Sequence, residues 1–579
     1  MTTHYINPSH TNNGDGDGTA DQVGAGGAFN TWDSVAFTNT DTYLQAAGTA
    51  ENVALGAGTI TINAKSAITI GSYGTGADPV VQNYKTSSSA GDWTSIASEG
   101  SGFIWEYIHN DSAGNNGSYI LGHGTLGAVL GNSIDYSDSG GSVDVWVNFG
   151  DWSCGRADKA LYIYSDINPV LKWGAIYWCG DSDRCFLFKN SDTIEFSGYQ
   201  LKNAAAGFVI SVTTAGVPHG SGNYHALYIA ETDKGCLLSS ADATKVLENA
   251  NLYNITTRKT NAAGIQPACY SDTVTVHDND IDTWGVAEST GGIYGSNVSL
   301  TGEEIKVYRN KVRGGSWGKY WEDGDGIYFD NGSSGCTVYA NDIADGPDAE
   351  MGGLRDNSGG ARMVWHSNIV SNYAHLAIFS DSQSFDSAAT MVFNNTGIGL
   401  TNGIAITGNL DVGSLNWVNN IMVGTGSALL INPSATATLS HVLNCYFGFS
   451  DTTDVEVGAI LTTPALLGFR VGAGSTSDGT GLDVTPYTDY DGVAFSTTPP
   501  LGAYAATANL YCVNTGSSAA GTTNYDAIWS DDGWAVQGDN SLHYPMNEGA
   551  GTLLAYDGTG AANATYNAPI TGYDVDSWE

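Results

Sequence analysis

Val274-Thr275-Val276-His277-Asp278-Asn279-Asp280-Ile281 returns as Ile305-Lys306-Val307-Tyr308-Arg309-Asn310-Lys311-Val312, and again as Cys336-Thr337-Val338-Tyr339-Ala340-Asn341-Asp342-Ile343. Looser copies follow at 363–370, 390–398, 415–423 and 439–447, so the repeating region runs from Lys245 to Phe447. The recurring Asn is read at 251, 279, 310, 341, 368, 395, 420 and 444, at gaps of 24 to 31 residues. A second phrase follows each first one: Gly264-Ile265, Gly292-Ile293, Gly326-Ile327, Gly353-Leu354, Ala377-Ile378, Gly403-Ile404 and Leu430. Two short alternating segments per repeat, separated by Asn and Gly, describe stacked coils rather than hairpins. Strands this short cannot bury an apolar face alone, but stacking them buries a continuous cylinder. An Asn at the same corner of every coil is expected near the left-handed region, bonded to its neighbours above and below. The pattern predicts a right-handed parallel β-helix, with Asn279, Asn310, Asn341 and Asn368 stacked.

Composition agrees with a turn-rich β protein, with 76 Gly, 13 Pro and 11% aromatic residues among 579. Sixty acidic against 20 basic residues give a net charge of −40. That excludes a phosphate-binding footprint, so nucleic acid is not expected as a partner. Acidity of this kind commonly serves solubility; its sharper reading is divalent-cation binding. One calcium site is read at Asn13, Asp15, Asp17 and Asp21, where oxygen ligands alternate with Gly. The twelfth loop position, Gly24, lacks the usual Glu, and a plain Asp/Gly turn explains the same residues; no cofactor is required. No apolar run is long enough to span a membrane, and the N-terminus shows no secretory signal pattern. The eight cysteines have no metal or framework spacing; Cys336 and Cys445 fall in strand phrases and read as reduced core residues.

Along the chain, 1–80 read as an N-terminal cap with first coils, and 81–157, with Trp93, Trp105, Trp146 and Trp152, as an inserted β-rich region. Residues 158–505 read as the β-helix body, 506–525 as a Ser/Gly/Thr/Ala-rich linker, and 526–579 as a small C-terminal β tail suited to oligomerisation. The stretch Ala67-Ile68-Thr69-Ile70-Gly71-Ser72-Tyr73-Gly74-Thr75-Gly76-Ala77-Asp78-Pro79-Val80 resembles the phrase that follows the first coil in the right-handed β-helix superfamily. The segments 158–169, 194–201 and Pro499-Pro500-Leu501-Gly502-Ala503-Tyr504 resemble its later and closing phrases. The segment from Leu542 to Thr552 resembles the first hairpin of laminin-G-like jelly rolls. That superfamily holds phage tailspikes, polysaccharide lyases and glycosidases. The resemblance implies a virion spike with other virion proteins and a host surface polysaccharide as partners. Two open ends that must be capped, and a tail too small to fold alone, make a parallel homotrimer the expected state. The alternatives are a structural decoration protein of a virion and a secreted calcium-dependent lyase.

Chemistry on such a fold belongs on the outer face of one sheet, where successive coils stack side chains about 4.8 Å apart. Aligning the second phrase on Ile293, Ile327, Leu354 and Ile378 puts Tyr294, Tyr328, Arg355 and Phe379 outward, then Ser296, Asp330, Asn357 and Asp381. The segments leading into these strands are long and carry Trp317, Lys319, Trp321, Glu322, Asp323 and Asp325. Aromatic rings beside carboxylates and Asn suit a sugar, whose ring needs flat apolar faces and whose hydroxyls need acceptors. Rings at these positions also serve simply to cover a sheet; their coincidence with long loops and carboxylates favours a binding face. Hydrolysis is expected from Asp330 and Asp381, two coils apart at roughly 9–10 Å, near the spacing of inverting pairs. Asp356 and Glu322 stand in reserve, and Tyr294, Tyr328, Arg355, Phe379, Asn357, Trp317 and Trp321 are expected to hold substrate.

Overall fold

The structure is a computed structural model. It describes residues 1–10, 18–21, 27–55, 58–99, 101–108, 118–125, 152–155, 160–180, 182–215, 219–240, 244–284, 291–296, 305–314, 324–330, 335–346, 351–357, 363–380, 390–407, 414–431, 438–456, 459–462, 466–467, 469–471, 477–505 and short strands between 511 and 566.

From Val274 to Ile431 each coil contributes three strands, whereas earlier coils run as long single strands such as Ile194–Val212 and Gly222–Ser240. Val274–His277, Asp280–Asp282 and Ile293–Ser296 make one coil; Ile305–Tyr308, Lys311–Arg313 and Ile327–Asp330 make the next. Every strand pairs in parallel with its counterpart one coil away, Val274 with Ile305, Asp280 with Lys311 and Ile293 with Ile327. The chain is therefore a parallel β-helix. The phrase read as one segment is in fact two strands, bent at a corner. The bend lies on the residue before the recurring Asn, not on the Asn itself. Asp278, Arg309, Ala340, Ser367, Asn394, Asn419 and Leu443 all have φ between 52° and 57°. A left-handed residue that is not Gly costs about 1–2 kcal/mol, so something at each corner must offset it.

The Asn ladder supplies that offset. The Asn310 Oδ1 accepts from the Asn279 backbone N–H at 3.2 Å and from its Nδ2 at 2.9 Å, while the Asn310 Nδ2 donates to the Val276 carbonyl at 3.0 Å. The same arrangement links Asn341, Asn368, Asn395, Asn420 and Asn444 in turn. At the far end Glu456 takes the place of the next Asn, its Oε1 accepting from Asn444 N–H at 2.8 Å and Nδ2 at 3.0 Å. Asn251 is not a rung. It pairs with Thr275 on the outer face, and the corner position of its coil is Ile255, whose N–H donates to the Asn279 Oδ1.

Inward residues stack in rows along the axis, as Val276, Val307, Val338, Trp365, Val392 and Trp417 do. All six are fully buried in one continuous core. At about 1.5–3 kcal/mol for a buried Val or larger side chain, such rows hold coil to coil. Cys336 and Cys445 lie buried in the interior, as do four other cysteines.

Between Gln82 and Arg184 the chain leaves the solenoid. Lys85–Ser87, Ser118–His123 and Ile176–Gly180 form one antiparallel sheet; Trp93–Glu99, Gly102–Ile108, Trp152–Gly155 and Ala160–Ser165 form another. The solenoid resumes at Arg184–Lys189, paired with Ile60–Asn63, so the excursion runs past residue 158. Residues 477–505 return along the outside of the coils. Ser367 Oγ donates to the Thr488 carbonyl, and Asn394 Nδ2 to the carbonyls of Pro500 and Gly502. Beyond them, short antiparallel pairings join Tyr511–Cys512 to Ile528–Trp529 and Leu554–Tyr556 to Ala564–Tyr566.

Candidate functional site

The third strand of each coil builds the candidate face. Its register is continuous: Tyr294 pairs with Tyr328 and Tyr328 with Arg355, and Asp330 pairs with Asn357. The next step differs from expectation. Leu354 pairs with Ala377, not Ile378, so Asp356 lies beside Phe379. Side chains alternate along a strand, and a slip of one residue exchanges the two faces. Phe379 therefore points inward, fully buried and stacked on Trp365 with centroids 5.4 Å apart. It cannot hold a substrate. Asp356 also faces the interior, 2% exposed, and is unavailable as a catalytic reserve. The outward position beside Asn357 belongs to Ser380, the register place that alignment on Ile378 gives to Asp381. Asp381 itself lies outside the described residues, as do Trp317, Lys319, Trp321 and Glu322.

What the strands do bring together is one continuous polar network. Tyr294 donates its hydroxyl to Asp330 Oδ2 at 3.0 Å, and Asn357 Nδ2 donates to Asp330 Oδ1 at 3.0 Å. The same Asn357 nitrogen lies 3.1 Å from the Tyr328 hydroxyl, and its Oδ1 accepts from Ser380 Oγ at 3.0 Å. Ser380 Oγ accepts in turn from Arg355 Nε at 3.1 Å. Arg355 Nη1 donates to Asp325 Oδ2 at 3.1 Å, and the other Asp325 oxygen accepts from the Gly352 N–H at 2.7 Å. Asp325 is completely buried. A buried carboxylate is tolerated only when paired and hydrogen-bonded, and here it is both.

The two tyrosines differ. The Tyr294 ring is half-buried, 5.1 Å from the Tyr328 ring at a tilt of 51°. Tyr328 is only 3% exposed and has the Arg355 guanidinium over its face at 5.1 Å. It supports the network rather than offering a platform to a sugar. Behind the face, Gly295 sits where a Cβ would come within 2.5 Å of the Phe329 ring, which is why the Tyr294 strand can pack flat on its neighbour. His375, beside Gly352 in the next coil, is pushed down to about 4 by burial and is a neutral packing group at ordinary pH.

Ser380 and Asp325 are the residues that sequence reasoning missed. Placing Ala377 under Leu354 would have found the first; the second was read as part of an entering loop with no role. The polar face is local, since the row through Tyr294, Tyr328 and Arg355 continues as Ile378, Ala405 and Leu430.

No protein-family model matches the chain, and no match was found among curated proteins. The likeness is to folds. A GH136 lacto-N-biosidase from Eubacterium ramulus aligns at 12% identity with a TM-score of 0.46, over 77% of this chain and 68% of that one. A structure of XylC with xylose aligns at 12% identity and 0.43, over 87% and 98%. A glycoside hydrolase aligns at 11% identity and 0.29, over 80% and 99%.

Of the proposed calcium ligands only Asp21 is described, and it accepts from Asn7 Nδ2 at 3.2 Å with His10 at 3.8 Å. Asn13, Asp15 and Asp17 lie outside the described residues. Among the described residues no cluster of three or more His, Cys, Asp or Glu is placed to hold a metal, and no helix is long and apolar enough to cross a membrane.

Proposed function

We propose that the chain binds a polysaccharide across the face from Tyr294 to Ser380 and hydrolyses it, with Asp330 as the working carboxylate. The observation that carries this reading is Asp330 itself. It is partly exposed, and each of its oxygens accepts a hydrogen bond from an uncharged donor on a neighbouring strand. Held by a donor on each oxygen, the carboxylate is positioned to act on a water or on a sugar carbon at this face. Rigid strands fix its position, as a catalytic group requires. A lyase is less well supported, because a uronate needs a cation to neutralise its acid group and Arg355, the described cation of this face, is bound to Asp325.

A second reading is a glycan receptor without turnover. What favours it is that Asp325 is consumed by Arg355 and Asp356 faces inward, so neither completes a pair with Asp330. The setting of a virion spike acting on a host surface polysaccharide rests on the sequence resemblance, and finding the chain in purified phage particles would test it.

The test of the activity is a screen of polysaccharides for new reducing ends. Asp330→Asn is expected to lower turnover by about 10²–10⁴-fold while binding persists. Unchanged turnover in the variant removes Asp330 from the mechanism. Binding without any product from the wild type makes the protein a receptor.

A further inference from the structure

Arg355 is the described cation of the candidate face, and an acidic sugar would be expected to seek it. The geometry shows it already engaged on both sides. Arginine grips a carboxylate through a fork of two adjacent nitrogens, either Nε with Nη2 or Nη1 with Nη2. Here Nε is bound to Ser380 Oγ at 3.1 Å and Nη1 to Asp325 Oδ2 at 3.1 Å, so each fork has one donor nitrogen committed. The flat face of the guanidinium lies over Tyr328, and the side chain is only 14% exposed. Its charge is balanced at contact distance by a carboxylate that is fully buried and hence firmly held. Asp330, the more accessible charge of the network, is negative, and the chain as a whole carries −40. A polyanion approaching this face meets repulsion and no free fork. The groups that do face outward, the Tyr294 ring, the Asp330 carboxylate, the Asn357 amide and the Ser380 hydroxyl, are those that bind hydroxyls and the apolar faces of uncharged sugars.

We infer that the polysaccharide taken by this face is neutral, built of uncharged hexoses, pentoses or N-acetylated sugars, and not a uronate- or sialate-containing polymer. This rests on the glycan-binding reading and narrows its substrate class. In it, Asp325 is a specificity-determining residue that acts through Arg355.

The experiment uses the full chain against a panel of neutral glycans and polymers and an acidic panel of polygalacturonate, hyaluronate and polysialate, at low and at high salt. Wild type is expected to bind one or more neutral members with an affinity that salt leaves unchanged, to bind no acidic member, and to lose neutral binding on Tyr294→Ala. Asp325→Asn, which keeps an acceptor for Gly352 but not the charge, is expected to acquire binding to acidic members that high salt abolishes. If circular dichroism shows Asp325→Asn unfolded, Arg355→Lys serves instead, since it keeps the charge without a fork and should leave neutral selectivity intact. Wild-type binding to an acidic polymer that falls with salt and is lost in Arg355→Lys overturns the inference while leaving a glycan-binding face in place. Binding to neither panel overturns the glycan reading, and this inference with it.

Discussion

Asn341 bonds simultaneously to the coil on either side of it. Its Oδ1 accepts from the Asn310 N–H at 3.0 Å and Nδ2 at 2.9 Å; its Nδ2 donates to the carbonyls of Val307 and Tyr339 and to Asn368 Oδ1. No water reaches this corner, since Asn310, Asn341 and Asn368 are fully buried. Asn341→Ala leaves the Asn310 amide without its acceptor, and a buried amide so stranded costs about 1–3 kcal/mol beyond the bonds lost. The expected loss in urea unfolding is about 2–4 kcal/mol, against under about 1 kcal/mol for Asn251→Ala on the outer face. Equal losses at the two positions would mean that the ladder does not hold the corners. From Asn279 onward these rungs were legible in the sequence, because a repeated polar residue between apolar ones has few other uses. Asn251 was misread because Asn251-Leu252-Tyr253-Asn254-Ile255 offers two Asn and spacing alone cannot choose a register.

Within single strands, one residue of register decided most of the candidate site. The sequence aligned Ile378 with Leu354 because both are large and apolar, whereas the structure fills that place with Ala377 and accommodates Phe379 one position on, against Trp365. Core volume is shared between coils, so a small residue in one row is compensated by a large one beside it. A single sequence does not show that exchange. Phe379→Ala is therefore expected to act as a core truncation, costing about 3–5 kcal/mol in chemical denaturation, with glycan affinity of the folded fraction unchanged. A variant of normal stability with weakened glycan binding would restore Phe379 to the outer face. The first strands carry a different regularity: Tyr308, Tyr339, His366 and Phe393 stack nearly parallel, 4.8 to 5.1 Å apart, with Tyr487 closing over the last two. Burial pushes the His366 imidazole down to about 3. Its ordinary value in an unfolded chain is about 6.5, so below that pH the unfolded state takes up a proton that the folded state refuses. The contribution is intact above about pH 6.5 and is lost as pH falls toward 3. Wild type should lose about 3 kcal/mol more than His366→Phe between pH 7 and pH 4, read from urea midpoints at each pH. Parallel pH profiles of the two proteins would show His366 charged in the fold.

Across the whole molecule, a solenoid meets its neighbours only along one axis, so its stability is a sum of coils and of the interfaces between them. The weak points are the ends, where a strand and a ladder both run out of partners. Glu456 closes the Asn ladder at one end. Its Oε1 takes the two donors of Asn444 that the next Asn would have taken, and Oε2 lies 3.3 Å from His441 Nδ1. This closure was not legible in the sequence, since Glu456 stands outside the repeat, 12 residues from the Asn it serves, in a segment with no pattern. Glu456→Ala removes the acceptor of a buried amide in the last coil and of nothing further along. In a one-dimensional array that loss should open locally. Hydrogen exchange is expected to rise in Ser414–Val418, Ile421–Gly424 and Cys445–Phe447, with Val274–His277 and Ile305–Tyr308 as protected as in wild type. Glu456→Gln keeps a carbonyl acceptor in the same place and should keep most of the protection. A uniform rise in exchange along the whole solenoid in Glu456→Ala would instead mean that the coils unfold as one cooperative unit, with the end contact stabilising all of them at once.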